Sequence, residues 1–384
     1  MKKYIETLLK NNKIVYAVYS TTINLILNFL KLFIKVDEKV ILFNSFGGKK
    51  YDDSPKAIFE YMSENEKYSD YKFYWGINEP EKFNIPKAKF IKNNTPKYFY
   101  IALKAKYWIT NSSIERGLKF KNKKTIYINT WHGTAIKKIE RDMKEYKGAN
   151  LKVTEPDYYF SQSDYDIEIF SGAFGVSKEK ILLSGLPRND ELCNVSNEQI
   201  INIKKKLNIS LEKKVILYAP TYREYERDAS GCVLRPPVNL KKWREVLSSD
   251  YVVLFRAHYE VNKALEIIND EFIKNMSNYE NLNELMMISD ILISDYSSIM
   301  IDYAILERPI FSYAYDYEKY EQKRGLYIDL SKELPNGYYK EENELLKNIK
   351  QCDYKSQKEK TSKFRKKYIQ VAGEASKYID KIIK

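Results

Sequence analysis

The chain is built from short apolar runs that each end in glycine or polar residues. KVILFNSFGG (39–48), YKFYWGIN (71–78), AKFIKNN (88–94), KYWITNSS (106–113), KTIYINTWHG (124–133), DYYFSQSD (157–164) and KILLSGLPRND (180–190) form a first series. Helix-like stretches such as SPKAIFEYMSE (54–64) and TPKYFYIALKA (95–105) separate most of them. A polar segment near 191–213 follows. A second series then runs through KVILYAPTYRE (214–224), YVVLFRAHYE (251–260), DILISDYSSI (290–299), RPIFSYAYD (308–316) and GLYIDL (325–330). Continuous rather than alternating apolar runs belong to strands buried on both faces, and helices between them supply parallel crossovers. The pattern predicts an α/β protein: two doubly wound Rossmann-type domains facing across a cleft, with a boundary near 195–212. A length of 384 residues suits two such domains. The chain closes with a basic helical stretch over about 341–384.

Open α/β sheets bind ligands outside the carboxyl ends of their strands. The only two histidines of the sequence, His132 and His258, both fall at such ends. In INTWHGTAIKK, Gly133 permits a tight turn, and a helix is expected to start at Thr134. A helix N-terminus would lower the pKa of the imidazole and leave His132 neutral, able to take a proton from an attacking hydroxyl. In LFRAHYE, Arg256 and His258 alternate along a strand and project to the same side, which would make a phosphate clamp. SDYSSIMIDYA (294–304) ends a buried strand in Asp295 and puts Ser297 and Ser298 before a helical run, an anion site or an ordinary N-cap box. There Asp295 would orient a neighbour or cap the turn. Thr221 and Arg223 in YAPTYRE, and Arg188 in SGLPRND, leave strands where the cleft should lie.

The spacing of Asp164 and Asp166 in DYD matches a metal-holding Asp-x-Asp pair, but the flanking residues read as a helix start. No phosphate-cradling GxxxxGK[ST], Gly-rich dinucleotide turn or GxSxG elbow is present, so kinase, dehydrogenase and hydrolase readings lose their support. Three scattered cysteines argue against a disulfide framework and fit a reducing cytoplasm. The formal charge of +13 favours anionic partners. Residues 14–30 carry no charge, yet Ser20, Thr21, Thr22, Asn24 and Asn28 interrupt them, and lysines flank them. An amphipathic, apolar helical segment over 1–36 that lies on an anionic surface fits better than a span; a packed helix is the other reading.

WHGT (131–134), YAPTYR (218–223), RAH (256–258) and SDYSS…DYA (294–304), together with SGLPRND and PIFSYAYDYEKYEQKRGLYID (309–329), resemble the CDP-glycerol glycerophosphotransferase family of wall teichoic acid synthesis. The resemblance covers roughly residues 38–345, and the chain's size is similar to that of the priming enzymes. It implies a GT-B-like fold, with an acceptor-side domain over 37–195, a CDP-alditol-binding domain over 213–345, and C-terminal helices over 346–384 crossing back. It also implies transfer of glycerol phosphate from CDP-glycerol, or ribitol phosphate from CDP-ribitol, to a hydroxyl of an undecaprenyl-linked saccharide, releasing CMP. The family's proposed catalytic pair falls on His132 and His258. Its nucleotide side falls on Thr221, Arg223, Asp295, Ser297 and Ser298. Gly133, Arg188 and Arg256 complete the expected CDP/pyrophosphate set. Tyr259 stands where the family often has proline.

On this reading the enzyme works at the cytoplasmic face of the cell membrane as a peripheral protein. No cofactor or metal is required by these residues, although a divalent ion carried by the pyrophosphate is compatible. An ordinary nucleotide-sugar glycosyltransferase would share the architecture but gives no reason for the WHGT and RAH pairing. Nucleic acid is not an expected partner, because the basic residues are dispersed and no recognition motif appears.

Overall fold

The computed structural model describes residues 12–144, 154–221, 223, 237–257 and 269–383. Two parallel sheets carry the chain. The first has seven strands in the order β3-β2-β1-β4-β5-β6-β7. These are β1 (Asp37–Asn44), β2 (Lys72–Ile77), β3 (Ala88–Lys92), β4 (Ala105–Thr110), β5 (Ile126–Asn129), β6 (Tyr158–Ser161) and β7 (Ile181–Leu183). The second has five, in the order β10-β9-β8-β11-β12. They are β8 (Lys214–Tyr218), β9 (Tyr251–Phe255), β10 (Ile273–Asn275), β11 (Ile291–Ser294) and β12 (Ile310–Ser312). Every pairing inside the sheets is parallel.

The period of two along a strand explains why the runs are continuously apolar. From β1, Val40 and Leu42 join Tyr98, Ala102 and Trp108 on one face, while Ile41 and Phe43 join Phe59, Trp75 and Ile109 on the other. From β8, Leu217 and Ile216 divide the same way between two clusters. The chain order reverses between β1 and β4 in the first sheet and between β8 and β11 in the second. Those reversals place the two crevices of the molecule.

Three expectations are corrected. GLYIDL (325–330) does not enter the second sheet: Leu326 makes an isolated antiparallel bridge to Lys137, and the Tyr327 N–H donates to the Ile136 carbonyl at 2.8 Å. The fifth strand is β10, three residues whose pairing with β9 rather than any apolar run defines it. No helix starts at Thr134; residues 130–138 form an irregular loop. The C-terminal region is likewise not one helical stretch. Helices Glu342–Lys350 and Tyr354–Tyr368 are followed by an irregular segment. There the Gln370 N–H donates to the Gln162 carbonyl at 2.8 Å, and Asp190 accepts from the Ala375 and Ser376 N–H groups at 2.9 and 2.8 Å. Ile379 and Ile383 then pack beside Phe59 and Phe73 of the first sheet's core.

The helix Lys13–Leu30 turns polar residues toward the protein. Asn24 Oδ1 accepts from the Lys119 N–H at 2.7 Å, and Asn28 Nδ2 donates to the Lys119 carbonyl at 2.8 Å. Ile14, Val18, Leu25, Phe29, Leu32 and Phe33 are exposed. No helix among the described residues is long and apolar enough to cross a membrane.

Candidate active site

His132 sits just beyond β5, in a loop fixed by short-range bonds. The Thr130 N–H donates to the Thr110 carbonyl at 2.8 Å and the Trp131 N–H to Asn129 Oδ1 at 2.9 Å. Trp131 and Gly133 take φ of +50° and +126°, which turns the chain sharply around the histidine. His132 Nδ1 lies 3.1 Å from the Asn111 backbone carbonyl. A carbonyl only accepts, so Nδ1 carries the hydrogen, and the neutral ring keeps its lone pair on Nε2. The Trp131 ring packs at 3.9 Å and the Phe46 ring at 5.8 Å. Burial holds the imidazole below its ordinary pKa; the Asn111 carbonyl and Asp53 oppose this, while Arg188 and Lys137 add to it. The expected direction therefore appears with a different cause: desolvation, not a helix dipole.

Thr134, expected at a helix start, is buried instead. Its hydroxyl donates to Asp166 Oδ2 at 3.0 Å and accepts from Gln162 Nε2 at 2.8 Å. Asp166 belongs to the DYD segment, which begins the helix Asp164–Phe174 with Ser163 as its cap. Burial pushes the Asp166 carboxyl up to about 7.

The arginines expected to clamp a pyrophosphate are engaged by protein groups. Arg188 Nη1 donates to Asp53 Oδ2 and to the His132 carbonyl, both at 2.8 Å, and its Nη2 donates to Asp302. Asp302 also accepts from Asn189 Nδ2 at 2.7 Å. Burial alone would lower the Arg188 pKa, but Asp302 and Asp53 more than offset it. Arg223 is only 4 % exposed and lies between two carboxylates. Its Nη1 donates to Asp295 at 2.7 Å, and Nε and Nη2 donate to Asp316 at 2.9 Å each. Arg256 Nη1 donates to the Met276 carbonyl at 3.0 Å and to that of Tyr279. Burial lowers its pKa, with Asp52 opposing.

Asp295 organises the carboxyl ends of β8 and β11. Its carboxylate accepts from the Thr221 N–H at 3.0 and 3.1 Å and from its neighbour Tyr296 N–H at 2.7 Å. Thr221 Oγ1 is buried with no hydrogen-bond partner among the described residues. Ser297 and Ser298 are half-buried and precede a helix of only five residues, Ile299–Tyr303. Ser298 makes no capping bond, so its hydroxyl is not spent on the helix. A Cβ at Gly133 would lie 3.0 Å from Ser298 Oγ and 3.4 Å from Arg188 Nη2, which brings the WHGT and SDYSS motifs into contact. His258 lies outside the described residues.

The structure thus gathers His132, Gly133, Arg188 and Ser298 at one place and Thr221, Arg223 and Asp295 at the adjoining one. Sequence reasoning missed Asp53, Asn111, Asp302 and Asp316. Asn111 carried a usable signal, because NSS ends an apolar run as WHG does. Asp302 and Asp316 stand in SDYSS…DYA and RPIFSYAYD, but nothing local names their partners, which lie far away in the chain; Asp53 carried no signal. Among the described residues no group of three or more His, Cys, Asp or Glu side chains is arranged to hold a metal ion.

Residues 26–384 match the family described as CDP-Glycerol:Poly(glycerophosphate) glycerophosphotransferase. The chain is 40 % identical over 368 residues to a teichoic acid poly(glycerol phosphate) polymerase of Staphylococcus epidermidis, covering 91 % of this chain and 51 % of that one. It is 39 % identical to a teichoic acid glycerol-phosphate transferase of Staphylococcus aureus, over 84 % of this chain and 86 % of the relative. The chain therefore spans about half the length of the first relative and most of the second. Among solved structures, the wall teichoic acid polymerase TagF superposes with a TM-score of 0.82 at 37 % identity, covering 91 % of this chain and 89 % of that one. A variant of that polymerase has been solved after soaking with CDPG.

Proposed function

The chain belongs to the CDP-glycerol:poly(glycerophosphate) glycerophosphotransferase family, and on that premise we propose that it transfers glycerol phosphate from CDP-glycerol to a hydroxyl of a lipid-linked saccharide or growing polymer in teichoic acid synthesis. The observation that carries this reading is His132, whose Nδ1 is committed to Asn111 and which directly precedes Gly133 in its contact with Ser298. A desolvated neutral imidazole whose Nε2 has no hydrogen-bond partner among the described residues is a suitable base for an attacking hydroxyl.

In the proposed step the acceptor oxygen attacks the β-phosphorus of CDP-glycerol, the one bearing glycerol. Its proton passes to His132 Nε2. The bond from that phosphorus to the bridging oxygen breaks, and CMP leaves with the electron pair. Transfer of this kind depends mainly on positioning and on neutralising charge. Thr221, Ser297, Ser298 and the remaining N–H groups of Arg256 are assigned to the pyrophosphate, with His258 as their partner. Arg223 and Arg188 are assigned as positioning residues, since their guanidinium groups already hold Asp295, Asp316, Asp53 and Asp302. Residues 37–195 would form the acceptor side and 213–345 the donor side.

The helix Lys13–Leu30 supports a peripheral position on the cytoplasmic face of an anionic membrane. It binds the protein through Asn24 and Asn28 and presents Leu25, Phe29 and neighbouring apolar residues outward. The decisive assay is CMP release with a synthetic lipid-linked saccharide and CDP-glycerol, CDP-ribitol or a UDP-sugar as donor. CMP release with CDP-glycerol and its loss in His132→Ala, with CDP binding kept, are the expected results. Turnover only with a UDP-sugar would overturn the assignment.

A further inference from the structure

In the first sheet the chain runs from β1 outward through β2 and β3, then returns to β4 on the other side of β1. Loops leaving two such strands diverge and open a crevice at their carboxyl ends. Here those loops are residues 45–48 and 111–113, and side chains lace them together. The Phe46 N–H donates to Asn111 Oδ1 at 2.8 Å and the Gly47 N–H to Ser112 Oγ at 2.9 Å. Phe46, Gly47 and Gly48 take φ of +48°, +64° and +80° in succession. For Phe46 that conformation is costly, and these two bonds hold it. The Phe46 ring stands 5.8 Å from the His132 ring, so the crevice adjoins the proposed base.

Asn111 follows directly on the carboxyl end of β4 and is fully buried. Its side-chain oxygen is taken by Phe46 and its backbone carbonyl by His132. Its Nδ2 has no hydrogen-bond partner among the described residues. An amide donor buried without a partner costs about 1–3 kcal/mol, which folding alone does not explain. The second sheet repeats the arrangement at its own reversal. Asp295 accepts the Thr221 N–H across β8 and β11, and Thr221 Oγ1 is left buried and unpartnered. Each sheet thus offers a laced strand end with an unspent hydrogen-bond donor, Asn111 Nδ2 in the first and Thr221 Oγ1 in the second, and the two flank the Gly133–Ser298 contact.

We propose that the β1–β4 crevice is the acceptor subsite and that Asn111 Nδ2 donates a hydrogen bond to the acceptor oxygen vicinal to the attacking hydroxyl. This rests on the transferase reading above. One residue then does two things: its backbone carbonyl fixes the tautomer of His132, and its side chain aligns the hydroxyl that His132 deprotonates. The loop that follows, 113–121, leads directly to Lys119, where the N-terminal helix is bonded. An acceptor anchored in a bilayer beneath that helix would reach the crevice along this loop.

Asn111→Asp removes the Nδ2 donor while keeping an oxygen for the Phe46 N–H. The wild type and this variant are each assayed with two acceptors, one ending in glycerol phosphate and one ending in propane-1,3-diol phosphate, which lacks the vicinal hydroxyl. Measurements are made well above the acid limb of the pH profile, so that a new carboxylate near His132 does not intrude. In the wild type, loss of that hydroxyl should raise the acceptor KM about tenfold, the worth of one hydrogen bond. In Asn111→Asp both acceptors should show the raised value, with CDP-glycerol affinity unchanged. A variant that still distinguishes the two acceptors overturns the assignment, as does a wild type that treats them alike, a test that needs no variant to fold. No CMP release by the wild type from CDP-glycerol would overturn the transferase reading and this inference with it; turnover without discrimination overturns this inference alone.

Discussion

Gly133 is packed against Ser298 so closely that a Cβ at position 133 would lie 3.0 Å from its Oγ and 3.3 Å from its Cβ. The glycine follows the proposed base and the serine ends the Asp295 turn, so this contact sets the spacing between the two crevices. It also lies at a φ of +126°, where side chains are strained whatever the space. Gly133→Ala should cost roughly 1–3 kcal/mol of stability. It should also lower kcat by about a hundredfold, the penalty for an ångström of misplacement. Urea unfolding and CMP release check the two effects, and an alanine variant with wild-type turnover would show that the contact does not set catalytic geometry.

Asp302 is fully buried and receives both Arg188 and Asn189. Because Arg188 also holds Asp53 and the His132 carbonyl, the pair ties the helix after β11 to the base. Removing Asp302 leaves Arg188 paired with Asp53, whereas removing Arg188 leaves two buried carboxylates without their cation. Arg188→Met should therefore cost about 3–5 kcal/mol. Asp302→Asn in the same chain, which takes away one of those charges and keeps an oxygen for Asn189, should recover part of that loss. Strictly additive costs in a double-mutant cycle would mean the two do not act as a unit.

The strands were legible because burial on both faces forces continuous apolar runs, and candidates were legible where a polar residue closes such a run, as His132, Thr221 and Asp295 do; Asn111 closes one too and was passed over. What lies between runs was not legible. The loop after His132 was read as a helix start from Gly133 and Thr134, but Thr134 is drawn into a bond with Asp166, which no local pattern encodes. The arginines were read as phosphate ligands because guanidinium suits phosphate. Their carboxylate partners stand 93 to 135 residues away in sequence for Arg223 with Asp316 and for Arg188 with Asp302 and Asp53. GLYIDL was read as a strand from its composition, yet Leu326 pairs with Lys137 across the two halves.

Burial holds the His132 imidazole below its ordinary value of 6.5. As pH falls the ring stays neutral past 6.5 and loses its proton-accepting form only below that, so the acid limb of kcat/KM should lie on the acid side of 6.5. The folded state then binds fewer protons than the unfolded chain in that window, and stability should also decline as pH drops through it. A limb above pH 7 would contradict a desolvated base.

Phe29 of the N-terminal helix and Phe33 in the turn just after it lie edge to face at 5.1 Å and are 60 % and 69 % exposed. Replacing both with glutamate removes apolar area that a bilayer would bury, worth about 1.5–3 kcal/mol per side chain. Flotation with anionic liposomes should fall at least tenfold, while thermal melting should hardly move, because neither ring is part of the buried core. Equal flotation of the variant and the wild type would assign the surface some other role.

Asp166 is a buried carboxyl raised by burial to about 7, opposed by the Gln162 N–H and the Thr134 hydroxyl. Its Oδ1 has no hydrogen-bond partner among the described residues, while Oδ2 takes both donors at 3.0 Å. In the unfolded chain the same group titrates near 3.8, so between about 4 and 7 the folded state holds the extra proton. Stability should fall as pH rises through that window, by at most about 1.4 kcal/mol per pH unit for one proton. Asp166→Asn keeps an oxygen for Thr134 and Gln162 and removes the ionisation. It should therefore match the wild type near pH 4 and exceed it above pH 7. Because Thr134 follows Gly133 and the base, the variant should also flatten any alkaline loss of activity that tracks this carboxyl. Urea midpoints at both pH values decide the matter: a variant less stable than the wild type above pH 7 would mean the ionised carboxylate, not the acid, is the form the fold requires.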